Sequence, residues 1–178
     1  MNITAYQLAS RATAVYPNIN SNMVYPTLGL MGEFGELAEK LKKGIRDDEG
    51  RITESKRIDI IKEAGDVFWY IAAIASEAKI ELEEQDFAHL EFKVDRCDIF
   101  HMLFHMHISV NEIVKLSLEK MEAGFKSLMK HNLHGLIEEL RRFLLRLDIR
   151  MSDVLEGNIT KLLDRKNRNV LGGSGDNR

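Results

Sequence analysis

Glu33 and Glu36 stand three residues apart in the stretch GEFGELAEK (32–40), and Glu63 and Asp66 repeat that spacing in KEAGDVFWY (62–70). Carboxylates at i and i+3 are neighbours on a helix surface. At about 100° per residue, Leu30, Phe34, Leu37, Ala38 and Leu41 form one apolar arc with the two glutamates along its edge. Ile60, Ala64, Val67, Phe68 and Ile71 form a second arc, with Glu63 and Asp66 along the equivalent edge. If two helices pack through these arcs, four carboxylates meet at the rim of one interface. Close like charges raise one another's pKa and destabilise the fold unless something positive sits among them. A divalent cation meets that need. Magnesium takes oxygen ligands in octahedral geometry and keeps positions open for water and phosphate, with manganese able to substitute. Such a rim suits phosphate chemistry. A lone pair of acids on a helix is ordinarily a solvated face; two pairs at matching angular positions are not so easily set aside.

The glycines beside the first pair point the same way. Gly29, Gly32 and Gly35 recur every three residues, and each costs about 1 kcal/mol relative to alanine inside a helix. Close approach of another backbone or of a ligand would justify that cost.

Helices must position these groups. The 178-residue chain has two prolines, Pro17 and Pro26, so everything after position 30 is free of the strongest helix breaker. The expected fold is all-α, with helices at about 3–15, 24–44, 55–79, 81–90, 95–126, 132–148 and 152–168. Residues 1–170 read as one helical-bundle domain, and 171–178, with little apolar content, as a flexible tail. A net charge of −3 gives no electrostatic argument for nucleic acid or an anionic membrane as partner. The single cysteine, Cys97, excludes an intrachain disulfide, and the stretch MNITAYQLAS lacks the order of a signal peptide. A cytoplasmic setting is expected. No apolar run approaches the roughly 20 residues that span a bilayer.

Four stretches, AYQLASRATAVYP, LGLMGEFGELAEKLKK, IIKEAGDVFWYIAAIASEAKIELEE and NITKLLDRKNRNVLGGSGDNR, together make up 75 of the 178 residues. In these the chain resembles the MazG-like branch of the all-α nucleoside triphosphate pyrophosphohydrolases. The resemblance implies cleavage of a nucleoside triphosphate between its α- and β-phosphates, giving the monophosphate and pyrophosphate. Glu33, Glu36, Glu63 and Asp66 would bind magnesium, with Glu36 or Glu33 in the catalytic role. Asn158, Lys161, Arg165 and Arg168, on one face of the last helix, would hold phosphates, helped by Lys40; Lys43 reads as solvated surface. By themselves, cations near a helix end also complement its dipole. Trp69 and Tyr70 could stack on the base, although aromatic residues so placed also pack between helices. Gly173 and Gly175 could let the tail fold over phosphates. A homo-oligomer, a dimer in particular, is expected.

The chain departs from shorter relatives in a helical insert at about 85–152. A shift of 76 residues lays Met106, Val110, Ile113 and Val114 on Leu30, Phe34, Leu37 and Ala38. The same shift lays Leu136, Ile137, Leu140, Phe143, Leu144 and Leu147 on Ile60, Ile61, Ala64, Val67, Phe68 and Ile71. Glu112 and Glu139 fall on Glu36 and Glu63, but Ser109 and Arg142 replace Glu33 and Asp66. The insert thus reads as a degenerate second hairpin, supplying packing surface that shorter relatives take from another subunit. His101 and His105 in HMLFHMH share a helix face as zinc ligands do, but their apolar neighbours favour a packing helix, and Cys97 reads as inert. Two other readings remain open: a phosphoribosyl-ATP pyrophosphohydrolase, and a non-catalytic helical module that assembles on metal.

Overall fold

The computed structural model describes residues 1–83, 99–118 and 124–171. Among these described residues the helices are α1 (Ile3–Arg11), α2 (Val24–Asp47), α3 (Glu54–Glu77), α4 (Ile99–Leu118), α5 (Phe125–Arg146) and α6 (Met151–Asn167). Among the described residues there is no strand, and the all-α expectation holds. The short helix expected at 81–90 falls almost wholly outside the described residues, as do Cys97, Gly173 and Gly175.

Helix α3 is the element on which the others converge, packing against α1, α2, α5 and α6. Its sequence explains this. Ile60, Val67, Phe68, Ile71 and Ile74 bury on several sides, while Ala64, Gly65, Ala72, Ala73 and Ala75 let neighbouring helices come close. A helix that is apolar around most of its circumference belongs inside a bundle. The resulting apolar cluster draws side chains from all six helices.

Local chemistry sets the helix ends. The Asn2 side chain accepts from Ala5 N at 2.8 Å to cap α1, and Thr53 does the same for α3. Asn22 Oδ1 accepts from Tyr25 N at the start of α2. Two boundaries differ from expectation. The first helix, expected to run to 15, ends at Arg11, and the one expected to start at 132 begins at Phe125; of the helix expected at 95–126, residues 95–98 and 119–123 lie outside the described residues. Gly124 is the physical reason for the second difference. Its φ of 97° is a left-handed conformation that cannot continue a helix. Phe125, Met129, Leu133 and Leu136 then start a new buried stripe at helical spacing.

The insert hairpin packs onto the first one: α4 lies against α2, α5 against α3, and α4 and α5 against each other. Met106, Val110, Ile113, Leu136, Ile137, Leu140, Phe143 and Leu144 are all buried, as their counterparts in the shifted alignment require. At the degenerate acidic positions, Glu112 lies near Lys115 and Glu139 near Arg142 on their own helices. His101 and His105 are exposed on α4, while Met102 and Met106 face the core.

The connection between α1 and α2 closes around one buried carboxylate. Glu77, 5% exposed, accepts from Arg11 at 2.8 Å, Tyr16 at 2.6 Å, Asn20 N at 3.0 Å and Asn22 N at 2.9 Å. Burial alone would raise its pKa, but the hydrogen bonds from Tyr16, Asn22, Arg11 and Asn20 outweigh it and hold the group below its ordinary value. A depressed carboxylate contributes stability that is present above its unfolded-state pKa and lost as pH falls through the folded one. Glu77→Gln removes a charge that Arg11 needs and should cost about 3 kcal/mol, the lower end for a broken buried pair. Urea unfolding at neutral pH measures this loss, and the gap from the parent protein should narrow in acid.

Candidate active site

Helices α2 and α3 pack through the arcs that their sequences display: Leu30, Phe34, Leu37 and Leu41 on one side, Ile60, Ala64, Val67, Phe68 and Ile71 on the other. The acidic edges are brought together as a result. One carboxylate oxygen each from Glu33, Glu36 and Glu63 lies within 4.8 Å of the other two. Glu36 is exposed, Glu33 half-buried, and Glu63 only 7% exposed. Among the described residues no other trio of His, Cys, Asp or Glu comes together in this way.

The cost of the arrangement appears in its electrostatics. Burial, then the charges of Asp66, Glu36 and Glu63, push Glu33 up to about 7, with Lys161 partly opposing them. Glu63 is also raised, chiefly by burial, although Lys40 Nζ sits 3.0 Å from its Oε1. Two of the three clustered acids are thus harder to ionise than free carboxyl groups. Three carboxylates offering only hard oxygen donors, one of them buried, fit a magnesium-type ion better than a softer metal.

Asp66 stands beside this trio and faces α6. Lys161 Nζ lies 2.7 Å from both of its oxygens, and Asn158 Nδ2 donates to Oδ1 at 2.8 Å. Its charge still acts on Glu33. Of the α6 residues expected to hold phosphates, Asn158 and Lys161 are therefore engaged with a carboxylate. Arg165 lies about one turn beyond Lys161 and is half-buried, whereas Arg168 is exposed and paired with Asp164 at 2.8 Å. Lys43 lies 3.4 Å from Glu39 on the solvated face.

The two aromatic candidates part company. Tyr70 is half-buried toward the acidic edge, where the charges of Glu33 and Asp66 add to burial in raising its pKa, and Tyr25 hydrogen-bonds to it. Trp69 turns the other way, donating from Nε1 to Thr13 Oγ1 at 2.9 Å and meeting Tyr16 edge-on. It anchors the α1–α2 connection, where Tyr16 stacks on Tyr25 with ring centroids 4.7 Å apart.

The glycines of α2 also divide. A Cβ on Gly29 would fall 2.0 Å from the Tyr70 ring, so this glycine does permit a close approach, by a side chain. Gly32 and Gly35 have open space where a Cβ would go, so among the described residues no backbone comes close there. A fourth glycine also makes room for a close approach. On α3, a Cβ at Gly65 would lie 2.9 Å from Asn158 Nδ2. Gly65 and Tyr6, whose hydroxyl reaches both Gly65 O and Asn158 Oδ1, belong to the site's frame. Neither stands out by spacing. Tyr6 has a sequence signal only in its place within AYQLASRATAVYP.

A carboxyl group whose folded pKa lies above its unfolded one becomes a growing liability between the two values. The unfolded chain ionises first, so stability falls as pH rises from about 4.5 to about 7 and stays low above that. The metal-free protein should therefore lose melting temperature over this window. Glu33→Gln should flatten the decline, and millimolar magnesium should restore stability at pH 8 in the parent protein by mass action. Calorimetric scans across pH, with and without the ion, measure both effects.

A family model described as the MazG nucleotide pyrophosphohydrolase domain matches residues 26–90, which contain all four acidic positions. The Gene 37 protein of Mycobacterium phage L5 is 38% identical over 104 residues, spanning 54% of this chain and 91% of that protein. No solved structure matches.

Proposed function

The chain belongs to the MazG nucleotide pyrophosphohydrolase family, and from that premise we propose that it is a magnesium-dependent enzyme that cleaves (deoxy)nucleoside triphosphates to the monophosphate and pyrophosphate, serving nucleotide-pool housekeeping. The observation that carries this reading is the meeting of Glu33, Glu36 and Glu63 within 4.8 Å, at the edge of an otherwise apolar helix pair. These three would hold the ion, with Asp66 adding a fourth carboxylate from the α6 side. Bound magnesium supplies Lewis acidity and neutralises charge on the phosphates.

The chain's own groups account for the rest. Water attacks the α-phosphorus, the bond from that phosphorus to the bridging oxygen breaks, and the leaving pyrophosphate carries the electron pair away. Glu36 is open to solvent where Glu63 is buried and ion-paired, which favours it as acceptor of the proton that the water loses. Lys40, beside Glu63, and Lys161, beside Asp66, border the acidic edge as cations for the pyrophosphate charge, and Arg165, one turn further along α6, would extend the set. Lys161 reaches the phosphates by exchanging Asp66 for them, a short movement for a flexible side chain. Tyr70 offers an aromatic surface at the same edge for the nucleoside. No helix among the described residues is long and apolar enough to cross a membrane.

Glu36→Gln should retain the helical circular-dichroism spectrum and lose about 10²- to 10⁴-fold in turnover, the range for removal of a positioned proton acceptor. The assay is a panel of nucleoside triphosphates with magnesium, scoring pyrophosphate against orthophosphate. Orthophosphate as the first product, or pyrophosphate release unchanged in Glu36→Gln, would refute the assignment.

A further inference from the structure

Tyr6 lies on α1, outside the acidic stretches, and is fully buried. Its hydroxyl donates to Asn158 Oδ1 at 2.8 Å and lies 3.3 Å from Gly65 O. On its other side, Asn158 Nδ2 donates to Asp66 Oδ1 at 2.8 Å. Each link fixes the next. Asp66, already held by Lys161, accepts from the NH2 end of the amide, which leaves the amide oxygen to take the proton of Tyr6. Burial raises the pKa of Tyr6 well above its ordinary value, so its oxygen stays protonated and serves as donor. Asn158 is itself only 5% exposed, and it fits against α3 because Gly65 has no Cβ: one placed there would come within 2.9 Å of Nδ2 and 3.0 Å of the Asn158 Cβ.

We propose that Tyr6 is a positioning residue: through Asn158, seated against Gly65, it fixes the orientation of the Asp66 carboxylate that the acidic site uses. The inference rests on the reading of Glu33, Glu36, Glu63 and Asp66 as the metal and substrate site, and it changes the part assigned to Asn158. The amide of Asn158 is satisfied at both ends within the protein, so it serves the carboxylate where the sequence suggested a phosphate ligand. Lys161 is the mobile partner of Asp66, and Asn158 the fixed one. When Lys161 turns toward phosphate, the bond from Asn158 keeps the carboxylate from swinging with it.

Two substitutions break the chain of contacts by different means. Tyr6→Phe removes only the hydroxyl, and Gly65→Ala forces Asn158 out of its seat. Ile71→Val, buried in the same core with no bond to the site, serves as the control for lost stability alone. The measurements are magnesium titration calorimetry without nucleotide, turnover against magnesium concentration, and the Asn158 side-chain amide signals of the metal-free full chain by NMR. Both variants are expected to shift the Asn158 signals and raise half-saturating magnesium about tenfold, as loss of an outer partner of a metal-site carboxylate does. Added magnesium should restore turnover in Tyr6→Phe, and Ile71→Val should move neither quantity. If wild type binds magnesium and Tyr6→Phe binds it equally well, the proposal falls while the proposed function stands. Unchanged Asn158 signals in Tyr6→Phe also overturn it. If wild type takes up no magnesium, the underlying reading of the site fails and carries this inference down with it.

Discussion

Like charges held together at the edge of an apolar interface are the constraint around which the molecule is arranged. Burying Leu30, Phe34, Leu37 and Leu41 against Ile60, Ala64, Val67, Phe68 and Ile71 favours one mutual rotation of α2 and α3, and that rotation carries Glu33, Glu36 and Glu63 to within 4.8 Å of one another. The apolar contact is worth roughly 1.5–3 kcal/mol per large side chain buried. Spread over an interface of this size, it outweighs the repulsion among partly ionised carboxylates. The rise of Glu33 to about 7 records the strain that remains. A fold built on this balance keeps three acids together at one edge.

The remaining elements hold that balance in place. Helix α6 brings Asn158 and Lys161 to Asp66, so the fourth carboxylate is neutralised from within the chain. Helix α1 presses Tyr6 into the joint between α3 and α6. At the far end of α3, Glu77 gathers Arg11, Tyr16 and the backbone of Asn20 and Asn22, which sets the path into α2. Tyr16 then stacks on Tyr25, and Tyr25 hydrogen-bonds to Tyr70 at the acidic edge. A buried ion pair eleven residues from Asp66 is thereby linked, through ring contacts, to a wall of the site.

The insert hairpin follows the same packing logic with the chemistry removed. Helices α4 and α5 repeat the apolar register of α2 and α3 and lie against them. Where the first hairpin collects acids, the second sets Glu112 near Lys115, and Glu139 near Arg142, along their own surfaces. Arg142 and Arg141 also bind Glu138 at 2.9 and 2.8 Å. Local neutralisation leaves no acidic cluster on the described part of that hairpin.

Much of this was legible in the chain itself. The all-α class, the placement of α2, α3 and α6, and the pairing of the two acidic edges follow from helical periodicity, because apolar arcs fix which faces meet and a spacing of three fixes what lies beside them. The start of α5 was missed because a glycine inside a periodic run looks like a tolerable cost until its φ is known to be 97°. Tertiary structure alone decided the rest. That Asp66 turns to Lys161 and Asn158, that Gly29 makes room for Tyr70 while Gly32 and Gly35 face open space, and that Tyr6 and Gly65 frame the site all depend on contacts between helices far apart in sequence. Periodicity describes each helix in isolation. The crossing of helices is set by how side chains from several elements share one volume, and no single helix carries that information.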